Sequence, residues 1–92
     1  MTTATANSKT SNHFPLIVRS RQKILFQGEV TAISSTNDKG NFDVLPGHAN
    51  FITLIKKQIA LSPTTGEKQQ IEIDNGVLRI FKNTASIYIG VT

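Results

Sequence analysis

The chain has 92 residues, no cysteine and a formal net charge of +4. This length suffices for one small domain with a single core. The lack of cysteine excludes a disulfide framework and a thiolate zinc site, and no apolar run approaches the roughly 18 residues that a membrane-spanning helix needs. The basic balance makes nucleic acid a candidate partner. However, most of the lysines and arginines are scattered, which is typical of a solvated surface.

The first 12 residues are mostly Thr, Ala, Ser and Asn and show no apolar pattern. Such a segment cannot bury enough apolar surface to offset the entropy lost on ordering. Residues 1–12 are therefore predicted to form a disordered tail, and residues 13–92 are predicted to form the folded domain.

From Phe14 onward, apolar residues recur with a period of two, which indicates strands rather than helices. Asp74-Asn75-Gly76 predicts a hairpin turn, and Lys82-Asn83 is a second turn candidate. Seven or more short strands at this spacing predict an all-β sandwich or barrel with mainly antiparallel neighbours. The period alone does not decide between a sandwich and a barrel.

One loop, Gly40 to Ala49, has a chemistry of its own. Pro46 presets its φ angle and Gly47 tolerates a positive φ, so Leu45 to His48 is predicted to form a type II turn. Apolar residues precede the turn and are expected to anchor the loop on the core. A stiff loop with a polar residue at its rim is a plausible recognition surface.

The sequence contains no constellation that predicts catalysis, so we predict no catalytic residue, no metal and no cofactor. His48 has no second histidine or carboxylate at metal-ligand spacing, and neither a nucleophile elbow nor a phosphate-binding loop is present. His48 has three candidate roles: a turn hydrogen bond, a protein interface and a catalytic base. Tyr88 is the one aromatic residue predicted to be exposed, too few for a platform that stacks single-stranded bases.

The run Gly40-Asn41-Phe42-Asp43-Val44-Leu45-Pro46-Gly47-His48-Ala49 resembles the Gly-x-Phe-Gly-Ile-Leu-Pro-Gly-His-Ala-Pro signature of the epsilon subunit of F-type ATP synthases, called delta in mitochondria. Ile24 to Val30 and Asn75 to Ile80 resemble two further family segments, apolar-Phe-x-Gly-x-Val and Gly-Gly-Phe-Leu-Glu-Val. Order and approximate spacing agree from Phe14 to Val91. The resemblance implies a flattened β-sandwich of two mainly antiparallel sheets with about ten short strands.

The resemblance also implies a function, that of a non-catalytic rotor subunit in the central stalk. Such a subunit binds the gamma subunit and the c-ring, and it couples rotation to ATP synthesis. The family positions imply a gamma interface at Ser20, His48 and Thr53, a c-ring contact loop at Lys39, Gly40 and Asn41, and a shaping turn at Pro46 and Gly47. Departures from the family pattern in and beside the loop include Asn41 in place of a frequent acidic residue, Asp43 in place of a glycine and Asn50 in place of a proline.

Partners and location follow from the same resemblance. We expect no small-molecule substrate, and membrane contact only through the complex. The expected location is the cytoplasmic face of the bacterial inner membrane, with the mitochondrial matrix or chloroplast stroma as alternatives. Because the sequence stops at Thr92, the C-terminal helical hairpin of many family members is expected to be absent.

Two other functions stay open at this point. Arg19, Arg21 and Lys23 alternate along one segment, which would suit a basic β-barrel-like module that binds nucleic acid. The chain could also be an orphan domain with the epsilon fold and another protein partner, because a fold alone does not define a function.

Overall fold

The computed structural model describes residues 12–90. The predicted tail, except for Asn12, lies outside the described residues, as do Val91 and Thr92. Residues 12–90 form six strands: β1 Phe14–Arg19, β2 Ile24–Asn37, β3 Gly40–Val44, β4 Phe51–Pro63, β5 Gln69–Phe81 and β6 Thr84–Ile89.

The six strands form one sheet in the order β1-β6-β5-β4-β2-β3, and β1 also pairs with β2. Five strands therefore close into a ring, and β3 is attached to the side of β2. Every neighbouring pair is antiparallel except β1 and β6, which are parallel. The principal extents are 46 × 27 × 19 Å, so the ring is flattened into two packed layers. The predicted class, an all-β sandwich of mainly antiparallel strands, is confirmed.

The predicted count of about ten short strands is wrong for the described residues, because three strands are long. β2, β4 and β5 contain 13 or 14 residues each. The register of β4 shifts between Lys56 and Lys57, and that of β2 shifts between Val30 and Ala32. Such irregularities bend a strand without ending it. Lys57 carries the local distortion of β4, with a φ of 76°.

The hairpin predicted at Asp74 to Gly76 is also wrong, because these residues lie inside β5. Gly76 does not adopt a positive φ there. Instead, it lets β5 approach β6 closely, since a Cβ atom on Gly76 would lie 2.9 Å from the carbonyl oxygen of Tyr88. The turn between β5 and β6 falls at Lys82 and Asn83, where φ is 50° and 60°, as expected of a tight hairpin turn.

Inward-facing aliphatic side chains from all six strands form one core. In β1, β5 and β6 the buried positions alternate with exposed ones, so Val18, Ile87 and Leu78 meet in register across the three strands. The other buried hydrophobic residues are Phe14, Leu16, Val30, Ile33, Val44, Ile55, Ile59, Leu61, Ile73, Ile80 and Ala85. Among residues 12–90, no helix has the length and apolar character needed to cross a membrane.

Candidate functional site

The turn predicted between Leu45 and His48 is present. The backbone N–H of His48 donates a hydrogen bond to the carbonyl oxygen of Leu45 at 3.1 Å. Gly47 has a φ of 82°, which is the left-handed conformation that the third position of this turn requires. Leu45 itself is 56% exposed, so it does not anchor the loop on the core as expected. Phe42 and Val44 supply the apolar anchors instead.

Two asparagine side chains fasten this loop to the turn between β5 and β6. The N–H of Gly47 donates to Oδ1 of Asn83, and the N–H of Lys82 donates to Oδ1 of Asn50, each at 2.8 Å. We call this reciprocal pair the asparagine clasp. The clasp explains the asparagine at position 50, because a proline there would offer no side-chain oxygen to the N–H of Lys82. The clasp escaped sequence reasoning because its partners are more than 30 residues apart.

His48 is exposed, and its ring packs against the aromatic ring of Phe51. Its ring centroid lies 4.7 Å from that of Phe51, and Phe51 in turn meets Phe42 edge-on at 6.3 Å. Nδ1 of His48 donates to the carbonyl oxygen of Ala49 at 2.8 Å. Within residues 12–90, no group of three or more histidine or acidic side chains could hold a metal ion. The geometry thus presents His48 as a positioned surface side chain.

Thr53 lies in a groove between β4 and the β2–β3 hairpin. The groove has a volume of about 560 Å³. The side chain of Thr53 is half-buried and accepts a hydrogen bond from Nδ2 of Asn37 at 3.2 Å. Lys39 lines the same groove, although the resemblance implies a different partner for it. The full lining is Asn37, Asp38, Lys39, Phe51, Ile52, Thr53 and Leu54.

The hairpin tip formed by Asp38 and Lys39 connects β2 to β3. The N–H of Lys39 donates to Oδ1 of Asn37 at 2.9 Å, and Gly40 has a φ of 119° that lets β3 start directly after the turn. Asn41 is exposed, but its Oδ1 accepts a hydrogen bond from Thr36 Oγ1 at 2.8 Å. Among the predicted c-ring contacts Lys39, Gly40 and Asn41, Lys39 is the one that carries a charge. Beside it, Asp38 carries the opposite charge, is 93% exposed and pairs with Lys56 at 3.2 Å.

Ser20 lies apart from the other predicted contact residues. It caps the turn after β1, where its N–H donates to the carbonyl oxygen of Lys23 at 2.9 Å and its Oγ accepts from the N–H groups of Gln22 and Lys23 at 3.3 Å. Around the ring, β6 and β5 separate β1 from β4 on one side, and β2 separates them on the other. The structure thus brings Thr53 and Lys39 together, with His48 nearby on Phe51, and leaves Ser20 outside this group, in the turn between β1 and β2.

A further surface, which we call the outer face, consists of outward side chains on β1, β6, β5 and β4. The strand register aligns Ile17, Ser86, Arg79 and Ile52 in one row, and Arg19, Tyr88, Val77 and Leu54 in the next. Ile52 and Leu54 are 65% and 71% exposed, and Tyr88 is 51% exposed. Tyr88 is exposed as predicted, but it is not the one exposed aromatic residue, because Phe81 is 43% exposed.

Sequence reasoning missed most of the outer face. A signal was present in β4, where Phe51, Ile52, Leu54 and Ile55 are apolar on both sides of the strand. A strand with only one buried side should alternate apolar and polar residues, so the departure from alternation marks a second apolar surface.

We expect replacement of Gly47 by valine to lower the free energy of unfolding by about 1 to 3 kcal/mol through backbone strain. A Cβ atom at Gly47 would meet no heavy atom within 4 Å, so crowding around Cβ contributes little. Thermal unfolding measures the effect. Gly47→Asn is the control, because asparagine tolerates a positive φ and should cost less. An unchanged midpoint for the valine variant would refute the left-handed conformation.

The fold and these surfaces define a class of protein: a small β-sandwich that presents a fastened loop, a groove and an apolar sheet face. Residues 13–90 match the model of a family described as the ATP synthase Delta/Epsilon chain, beta-sandwich domain. The chain belongs to this family.

Individual relatives agree with the family match. The chain is 34% identical over 79 residues to the ATP synthase epsilon chain of Bradyrhizobium sp. (strain ORS 278), covering 86% of this chain and 57% of the relative. It is 34% identical over 65 residues to the epsilon chain of Psychrobacter cryohalolentis, covering 70% of this chain and 46% of the relative. The chain thus spans about half the length of these relatives.

Two solved structures share the fold. A chain of the Euglena gracilis mitochondrial ATP synthase, in a structure of its OSCP/F1/c-ring, matches with a TM-score of 0.80 and 18% identity over 92% of this chain and 55% of that one. A chain of the Tetrahymena thermophila mitochondrial ATP synthase, in a structure of its central stalk and c-ring, matches with a TM-score of 0.72 and 13% identity. The match covers 84% of this chain and 63% of that one.

Proposed function

We propose that the chain is a non-catalytic rotor subunit of an F-type ATP synthase. In this proposal it binds the gamma subunit and the c-ring and helps to couple rotation to ATP synthesis. The observation that carries the proposal is the clasped Pro-Gly-His loop, present in a chain of the delta/epsilon family. The related chains of Euglena and Tetrahymena belong to structures that contain a c-ring, which supports the same assignment.

The physical properties of the domain suit a load-bearing contact. A closed, densely packed sheet deforms little when force is applied to its surface. The clasp and the turn already hold the loop in one conformation, so little loop entropy remains to be lost on binding. A subunit that transmits torque needs both properties, because a compliant contact would absorb the rotation that it should pass on.

The proposed contacts are divided between two partners. His48 and Thr53 would meet the gamma subunit, with Ser20, in the turn between β1 and β2, as a separate contact. Lys39 of the hairpin tip, together with Gly40 and Asn41 at the start of β3, would approach the c-ring. Asn41 already bonds Thr36, so the exposed ammonium group of Lys39 is the stronger candidate for a polar contact with the ring.

The proposal places the chain at the cytoplasmic face of the bacterial inner membrane, as a peripheral part of the complex. The bacterial epsilon chains among its relatives support this location. Nucleic acid is the weaker alternative, because the aliphatic side chains of Ile52 and Leu54 stand where a single-strand platform would need stacking aromatic rings.

Co-purification with the gamma subunit from the same genome tests the proposal. We expect the untagged gamma subunit to elute with the tagged chain as one complex, and His48→Ala to weaken binding in calorimetry. Glu72→Ala is the control, because Glu72 is exposed on β5 well away from the loop. If two folded partners form no complex, the gamma assignment is wrong.

The c-ring assignment needs its own measurement. The purified complex of the chain with gamma should bind detergent-solubilised c-ring, and Lys39→Glu should weaken this binding. Because Lys39 lines the same groove as Thr53, the affinity of the variant for gamma is measured in parallel. Equal binding of the wild-type and Lys39→Glu complexes to the ring would argue against a contact at the hairpin tip.

A further inference from the structure

We propose that Arg79 is the central anchor of the outer face, and that the protein surface docking there presents a carboxylate to Arg79 from within an apolar patch. The inference rests on the proposed function and extends it: Ile52 and Leu54 of the outer face also line the groove that contains Thr53, a proposed gamma contact, so we take the gamma subunit as the partner of this face. It adds the chemistry of the contact and the residue that selects the partner.

Arg79 occupies the middle of the outer face. In register it lies between Ile52 of β4 and Ser86 of β6, and Ile17 of β1 completes its row. The next row contains Leu54 and Tyr88, both more than half exposed. A partner that covers these apolar side chains must also cover Arg79 and remove water from its guanidinium group.

The guanidinium group is already held in place. Its Cζ atom lies 4.9 Å from the centroid of the Phe81 ring, within the range of a cation–π contact. Lys82 Nζ lies 5.4 Å from the same centroid, which adds a second positive charge at this edge. Because the arginine is held against the ring, less side-chain entropy is lost when a partner fixes it.

Within residues 12–90, no acidic side chain forms an ion pair with Arg79. The rows of the outer face contain no aspartate or glutamate. The side-chain ion pairs found within residues 12–90 are His13 with Glu29 and Lys56 with Asp38. A guanidinium covered without a counter-charge is costly, so a stable interface must supply one. A carboxylate matches its paired N–H donors best.

The surroundings decide what kind of partner fits. A central arginine among exposed aliphatic and aromatic side chains is the usual composition of a protein–protein hot spot. The basic character of the face, with Arg19 and Lys82 near its margins, repels a basic surface. The complementary surface is therefore apolar, with a carboxylate at its centre.

The test measures affinity for the purified gamma subunit by calorimetry for the full chain and its variants. We expect Arg79→Glu to weaken binding by about tenfold or more, and Arg79→Gln by less. Phe81→Leu removes the ring that holds the guanidinium and should weaken binding moderately. The matched charge-reversal control is Lys68→Glu, since Lys68 is exposed in the loop between β4 and β5 and should leave affinity unchanged.

Pairs of charge-reversal variants, one in each protein, identify the gamma carboxylate that contacts Arg79. Single replacements of gamma aspartates and glutamates by lysine are paired with Arg79→Glu, and one of them should restore binding to that variant while weakening binding to the wild type. Thermal unfolding of each variant confirms that it is folded, as expected for changes at an exposed position.

The outcomes separate the two proposals. If the wild type binds gamma and the Arg79 variants bind equally well, the anchor is refuted and the proposed function stands. If the wild type does not bind gamma, both proposals fail. If binding weakens in Arg79→Glu but no gamma replacement restores it, Arg79 remains an anchor and the carboxylate is refuted.

Discussion

Replacing Leu78 with alanine is expected to lower the free energy of unfolding by about 2 to 5 kcal/mol. Leu78 is fully buried in β5, in register with Thr53 of β4 and Ile87 of β6. The variant loses the transfer free energy of the removed methyl and methine groups, and it gains a cavity. The cavity cannot close fully, because paired strands on both sides hold the backbone of β5 in place. Urea denaturation measures the loss.

Leu54→Ala is the matched control for this prediction. Leu54 lies on the adjacent strand and faces outward, 71% exposed. Its truncation should change the free energy of unfolding by no more than about 0.5 kcal/mol, yet weaken binding to a partner on the outer face. If Leu54→Ala were as costly as Leu78→Ala in the isolated chain, the outer face would be a covered surface and the docking proposal would lose its basis.

Gly76→Val is expected to cost about 3 kcal/mol, the upper end of the typical overpacking range. A Cβ atom there would lie 2.9 Å from the carbonyl oxygen of Tyr88 and 3.4 Å from Cγ1 of Ile55. The first neighbour is backbone in a paired strand, so it cannot move aside as a side chain would. For a domain of this size, the midpoint of thermal unfolding should fall by roughly 12 to 24 °C.

Gly28 provides the comparison for Gly76. It also lies in a strand, but a Cβ atom there would meet only the ring of Phe26, at 3.4 Å. Gly28→Ala should therefore be tolerated, whereas Gly76→Ala should already be measurably destabilising. Equal stability of the two alanine variants would show that the close approach of β5 to β6 does not require a glycine.

Local features of this fold could be predicted from the sequence, and long-range ones could not. The period of two indicated strands, and the turns at Pro46-Gly47 and Lys82-Asn83 followed from Gly47 and Asn83, which tolerate a positive φ. Asp74-Asn75-Gly76 misled, because the glycine that favours a tight turn also suits a strand position pressed against its neighbour. The sequence cannot distinguish the two cases until the position of β6 is known.

The features of the candidate site also divide into local ones, which could be predicted, and long-range ones, which could not. The resemblance identified the loop around His48, and the local turn chemistry agreed with it. The asparagine clasp, the groove shared by Thr53 and Lys39, and the isolation of Ser20 depend on which strands become neighbours. The exposure of Arg79 depends on the orientation of β5, which the hydrophobic pattern of that strand indicates only in part.

The parallel pairing of β1 with β6 has a consequence for how the protein is made. Their paired residues, such as Leu16 and Ala85, lie about 70 positions apart in the chain, so the ring cannot close until β6 has been synthesised. At ribosomal speeds of about 5 to 20 residues per second, β1 waits several seconds for β6, often longer than a sandwich of this size needs to fold. Translation, rather than folding, therefore sets the pace at which the nascent domain closes, and until then its open strand edges are exposed to other chains.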